Sequence, residues 1–174
     1  MRRILATTML MLTALTPAIA QGQTRIGLEI GSRPDPLALE VVHGGNVDLG
    51  AVIGRQPVLL EFWATWCPKC RALHPEIVAA HAEFGDQVEF FGVAVGVGQN
   101  PSSVRRHLEK RPLPFPMLWD ARGVAVRRFM APVTSYVVIL DGDGRVAYTG
   151  VDSEQDIRGA LRRIVRDGQS TPDS

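Results

Sequence analysis

Cysteine is nearly missing from this chain: its 174 residues contain two, Cys67 and Cys70. A framework of several disulfides is thereby excluded, and the pair sits at a strand-to-helix junction, a place for chemistry rather than stapling. Charge of one sign is lacking as well. The formal net charge is +1, and once Arg2 and Arg3 are set aside, 17 basic residues face 18 acidic ones from Gln21 onward. Such a balance asks for neither nucleic acid nor an anionic membrane surface. The N-terminal apolar run, residues 4–15, is shorter than the ~20 residues a spanning helix needs and is diluted by Thr7, Thr8 and Thr13. There is no phosphate-binding glycine loop and no Ser/His/Asp arrangement. Asp141-Gly142-Asp143-Gly144 lacks the later ligands and the twelfth-position glutamate of a calcium loop, and reads as a hairpin turn.

What is present fits one globular domain. Apolar residues make up 45% and charged residues 21%, ordinary usage for a folded protein. Arg2-Arg3, the apolar run, and Pro17-Ala18-Ile19-Ala20 have the layout of an export signal cleaved after Ala20; an uncleaved anchor is the competing reading. Gln21 rather than cysteine follows the cut, so no lipid attachment site is offered there. The expected organisation is a signal peptide over 1–20, a flexible lead-in over 21–33, one domain over 34–167 and a flexible tail over 168–174. Roughly 150 residues then remain, enough for a single core.

Residues 37–42 and 47–49, separated by His43-Gly44-Gly45-Asn46, read as a β-hairpin, with Asp48 capping a short turn through Ile53. Residues 58–64 form an apolar run suited to a central strand. A helix should start at or near Cys67, with Pro68 in its first turn. Leu73, Ile77, Val78 and Ala80 give it an apolar face, Pro75 should kink it, and Gly85-Asp86 end it. A second buried strand is expected over 88–95, a helix over 101–110 capped near Asn100, and a short strand over 117–119. Beyond them come a short helix over 124–129, a hairpin of 136–140 with 146–149, and a last helix from Ser153 or Glu154 to about Arg166. This order is α/β, parallel at the start and antiparallel at the finish.

Phe62-Trp63-Ala64-Thr65-Trp66-Cys67-Pro68-Lys69-Cys70, Pro75-Glu76, Leu113-Pro114-Phe115-Pro116 and residues 138–144 together resemble the TlpA-like, redoxin-related branch of the thioredoxin superfamily. The resemblance implies a thioredoxin-like fold, a central mixed sheet flanked by helices with an extra N-terminal β-hairpin. It also implies an exported thiol–disulfide oxidoreductase with no tightly bound cofactor. Expected partners are protein thiols or disulfides and an electron donor or acceptor protein, which can be membrane-bound; the chain itself is expected as a periplasmic monomer.

Two residues between cysteines at a helix start bring both sulfurs within disulfide reach and turn the first towards unpaired helix N–H groups, which stabilise a thiolate. Cys67 should therefore attack and Cys70, one turn inside, resolve, the order the resemblance also implies. Lys69 adds positive charge, Pro68 fixes the turn, and Trp66 shapes the partner groove while Trp63 belongs to the core. Glu61 interrupts an apolar strand six residues before Cys67; burial should bias it towards its protonated form, as suits a proton acceptor for Cys70. The alternative is an inward acid paired with a lysine or arginine, or with water.

The resemblance places a cis-proline six residues before Asp141, where this chain has Ser135 preceded by Thr134; Pro132 lies three residues early. Either Ser135 substitutes or Pro132 serves through a local insertion, and the count favours Ser135. His43, His74, His81 and His107 are assigned to surfaces or helix faces. Cys70, His74 and His81 on one helix wrap a zinc tetrahedron poorly. A peroxiredoxin-like thiol peroxidase and a metal-handling or structural module remain as other function classes, the former weakened by the lack of a Thr-x-x-Cys arrangement.

Overall fold

The computed structural model of the protein describes residues 27–169. The export-signal reading of residues 1–20 lies outside the described residues. Strands β1 (Ala38–Val41) and β2 (Asn46–Asp48) form the first hairpin. Its turn carries Gly44 and Gly45 at φ of 105° and 85°, a region glycine enters without a Cβ penalty. Asp48 then caps a single 3₁₀ turn, Leu49–Ala51, by accepting from Gly50 N.

Strand β3 (Val58–Trp63) is buried at every position, as a continuous apolar run predicts for the middle of a sheet covered on both faces. Helix α1 (Pro68–Phe84) follows, then β4 (Glu89–Val95), α2 (Pro101–Lys110) and β5 (Met117–Asp120). Asn100 caps α2 through a reciprocal bond with Ser103. Helix α3 (Val124–Arg128), the hairpin β6 (Tyr136–Leu140) and β7 (Val146–Gly150), and helix α4 (Ile157–Gln169) complete the order.

Among the described residues the sheet runs β2-β1-β5-β4-β3-β6-β7. β3, β4 and β5 are parallel, whereas β6 joins β3, and β1 joins β5, in antiparallel register. The architecture is the α/β, thioredoxin-like one expected, with the extra hairpin extending the sheet beyond β5. Cys70, Leu73, Ile77, Ala80 and Phe84 form the buried row of α1, the helical spacing of a face laid on a sheet.

Three expectations need correction. Val78 is 37% exposed, because it follows Ile77 by about 100° around the helix and so leaves the sheet-facing row. The last helix begins at Ile157, not at Ser153 or Glu154. Gln155 explains the delay: its Nε2 donates to both Ser135 O and Asp152 O, and the helix starts only where Asp156 Oδ1 accepts from Gly159 N. Residues 27–33 of the expected lead-in are tied to the domain, with Leu28 N donating to Tyr136 Oη, Gly31 N to Val146 O and Val146 N to Ser32 O.

Candidate active site

β3 delivers the chain into the middle of the molecule and α1 carries it away, so the link between them is held from several sides. Thr65 donates through both N and Oγ1 to Gln99 Oε1, each at 2.9 Å, and Gln99 Nε2 returns a bond to Val95 O at 2.7 Å. Trp66 Nε1 donates to Val97 O at 2.8 Å. The loop after β4 therefore grips the segment just before Cys67.

Cys67 is the N-cap of α1 and Pro68 opens the helix. A disulfide joins Cys67 to Cys70, with 5.4 Å between their Cα atoms. Cys67 Sγ also accepts from Cys70 N at 3.0 Å. This is the helix-terminus arrangement that favours a thiolate once the bond is reduced. Cys67 retains 3% exposure and Cys70 none, so the two sulfurs differ in access.

Lys69, between the cysteines, does not stand alone. Its Nζ lies 2.7 Å from Asp152 Oδ2, and this hydrogen bond holds the Asp152 carboxyl below its usual range. Asp152 N in turn donates to Ser135 Oγ at 3.2 Å. Ser135 is fully buried, sits at φ 66°, and donates its N–H to Phe62 O at 2.7 Å. Ser135 thus leads directly into β6 beside β3, while Pro132 is exposed three residues earlier and no cis peptide bond occurs among the described residues. Thr134 is half-buried beside it.

Glu61 is completely buried on β3, opposite Gly92 of β4 and Val137 of β6. Its neighbour is neither the lysine or arginine considered above but His74, whose Nε2 lies 3.2 Å from Glu61 Oε1. The approach is close enough for an ion pair, yet its alignment is too poor to satisfy either carboxylate oxygen as a hydrogen bond. Burial raises the Glu61 pKa, and His74 opposes the rise.

His74 lies on a helix face as expected, but the face is the one turned towards Glu61, a contact the sequence does not announce. Its ring meets Trp63 edge-on with centroids 5.5 Å apart, and its side chain keeps 13% of its exposure. The signal available was its spacing: His74 follows Cys70 by four residues, so it shares the helix face that an inward-facing Cys70 presents to the sheet. His107 of α2 packs on Trp63 at 5.5 Å as well, and burial, then Arg111, His74 and Arg71, lowers its pKa. Trp63 is core, donating to Met117 Sδ at 2.6 Å. His81 packs against Phe90 and Phe115 instead. Trp66, by contrast, is 49% exposed.

A family model described as the AhpC/TSA family matches residues 30–149. The chain is 32% identical over 118 residues to a thioredoxin-like protein of Haemophilus influenzae, covering 67% of this chain and 68% of that relative. It is 27% identical over 144 residues to the thiol-disulfide oxidoreductase ResA of Bacillus subtilis, covering 81% and 78%. Among solved structures, a secreted Mycobacterium tuberculosis disulfide oxidoreductase homologous to E. coli DsbE superposes with a TM-score of 0.65 at 26% identity, over 73% of this chain and 95% of that one.

Proposed function

The chain belongs to the AhpC/TSA family and is a thioredoxin-like thiol–disulfide oxidoreductase, and on that premise we propose that it is an exported, periplasmic reductant of disulfides in protein partners. The observation that carries the reading is the disulfide between the N-cap residue of α1 and the fully buried Cys70.

In the reduced protein, the Cys67 thiolate attacks one sulfur of the partner's disulfide. A mixed disulfide forms and the partner's other sulfur leaves as a thiolate. Cys70 then gives its proton to the Glu61 carboxylate and attacks Cys67 Sγ, breaking the mixed disulfide. The second partner thiolate leaves, two electrons have passed to the partner, and Cys67–Cys70 is oxidised. An electron donor protein returns the pair to the dithiol.

The reducing direction is supported by Asp152. An oxidant needs a strongly stabilised thiolate, and a carboxylate 2.7 Å from Lys69 Nζ offsets the cation that would otherwise supplement the helix N-terminus. Trp66, Val97 and Val133 are exposed apolar side chains, Val133 standing two positions before Ser135, and suit an unfolded or extended partner segment. Pro68, Thr134 and Ser135 shape this site in the proposal. Among the described residues no helix is long and apolar enough to cross a membrane; export rests on the N-terminal sequence pattern. Insulin reduction by dithiothreitol, followed by turbidity, tests the exchange: the protein accelerates it, and activity that survives Cys67→Ser overturns the proposal.

A further inference from the structure

Glu61 raises a problem that the exchange chemistry leaves open. A carboxylate that accepts the Cys70 proton in every cycle must also release it, yet Glu61 has no exposure at all. Its sheet neighbours Gly92 and Val137 offer no titratable group, and neither oxygen has an aligned donor among the described residues. One polar side chain is at hand. His74 Nε2 stands 3.2 Å from Glu61 Oε1, on the helix face of Cys70 and one turn further along, with part of its ring still reaching solvent.

Resting on the exchange reading above, we infer that His74 is the solvent-side end of a proton relay for Cys70, a positioning residue that acts through Glu61. An imidazole accepts a proton on one nitrogen and releases another from the second, so it moves protons without itself being displaced. Trp63, packed edge-on against the ring, fixes the orientation in which Nε2 meets the carboxyl. The proton leaving Cys70 Sγ is taken by the Glu61 carboxylate and passed from the carboxyl O–H to His74 Nε2. The opposite ring nitrogen then gives a proton to water. When the disulfide is reduced again, the same path runs inward. No electrons move along it, and one proton leaves for each resolving step.

The charged and titratable groups around the ring come from three elements. Glu61 of β3 faces Nε2, Cys70 and Arg71 belong to α1 itself, and His107 and Arg111 come from α2 and its C-cap. Burial first, then Arg111, His74 and Arg71, hold His107 towards its neutral form. Glu61 is thus the one acid named in the group, and it lies on the inner side.

Stopped-flow oxidation of the reduced protein by excess glutathione disulfide separates the two steps, since at saturating disulfide the plateau rate reports resolution by Cys70. In His74→Ala the plateau falls by about tenfold or more, the second-order first step is unchanged, and free imidazole restores part of the loss. Glu61→Gln shows the loss without rescue, and adding His74→Ala to it costs nothing further. His74→Gln, which keeps a polar group of similar reach but neither takes up nor releases a proton, shows the same plateau loss and covers the case in which the alanine variant does not fold. A plateau in both His74 variants within about twofold of the parent, or a loss that imidazole does not relieve, overturns the relay. If the unsubstituted protein is not oxidised by a disulfide at all, the exchange reading falls and takes the relay with it.

Discussion

Glu61 and Lys69 show how far single residues set the chemistry here. Glu61 lies in a row of apolar side chains with the His74 imidazole 3.2 Å away, and burial is the larger influence on it, raising its pKa above the ordinary carboxyl value. The sign of the stability effect follows. A carboxyl with a folded pKa above its unfolded one contributes stability that is fully present below the unfolded value and is lost as pH rises through the folded value. Glu61→Gln removes that loss, so the urea midpoint of the parent drops from acidic to mildly alkaline pH by more than that of the variant. The same change slows the resolving step about 10- to 100-fold, because a carboxamide cannot take the Cys70 proton. Lys69 has the opposite character, exposed and already paired. Asp152→Asn leaves its cation unopposed, and in the reduced protein the alkylation profile of Cys67 with iodoacetamide moves to lower pH; an unmoved profile would show that Asp152 does not temper the thiolate.

At the scale of elements, much was legible because the signals are local. The cap at Asn100, the glycine turn after β1, Pro68 at the start of α1 and the buried run of β3 are each written within a few residues. Contacts that join distant segments were not written that way. His74 meets Glu61 only once α1 lies on β3, and Lys69 finds Asp152 across 83 residues. The same holds for α4, whose start depends on a Gln155 side chain committed to Ser135 O. Ile77 tests the packing of α1 directly. It is fully buried in the row that faces the sheet, so Ile77→Ala should cost about 2–5 kcal/mol in urea unfolding. Exchange per folded molecule should stay near the parent's, as the residue lies two turns beyond Cys70.

For the molecule as a whole, the sheet acts as a mount for one junction. β3 is flanked by β4 and β6, and both neighbours send a loop to the site: Val95, Val97 and Gln99 hold the segment before Cys67, and Ser135 precedes β6. The β7–α4 connection supplies Asp152 and Gln155, which tie Lys69 to Ser135. Redox poise is therefore a property of the assembled fold, and equilibration with glutathione measures it. The proposed reductant has a potential near ~−250 mV or lower, whereas a value near ~−120 mV would mark an oxidant.

The division of labour between the two sulfurs is the central claim, and trapping the mixed disulfide tests it most directly. Reduced Cys70→Ser protein, incubated with a disulfide-bonded protein and resolved without reductant, should accumulate a covalent adduct through Cys67 that dithiothreitol releases. Cys67→Ser should yield none. An adduct that forms through Cys70 in the Cys67→Ser protein, or none in Cys70→Ser, would contradict the assignment of Cys67 as the attacking sulfur.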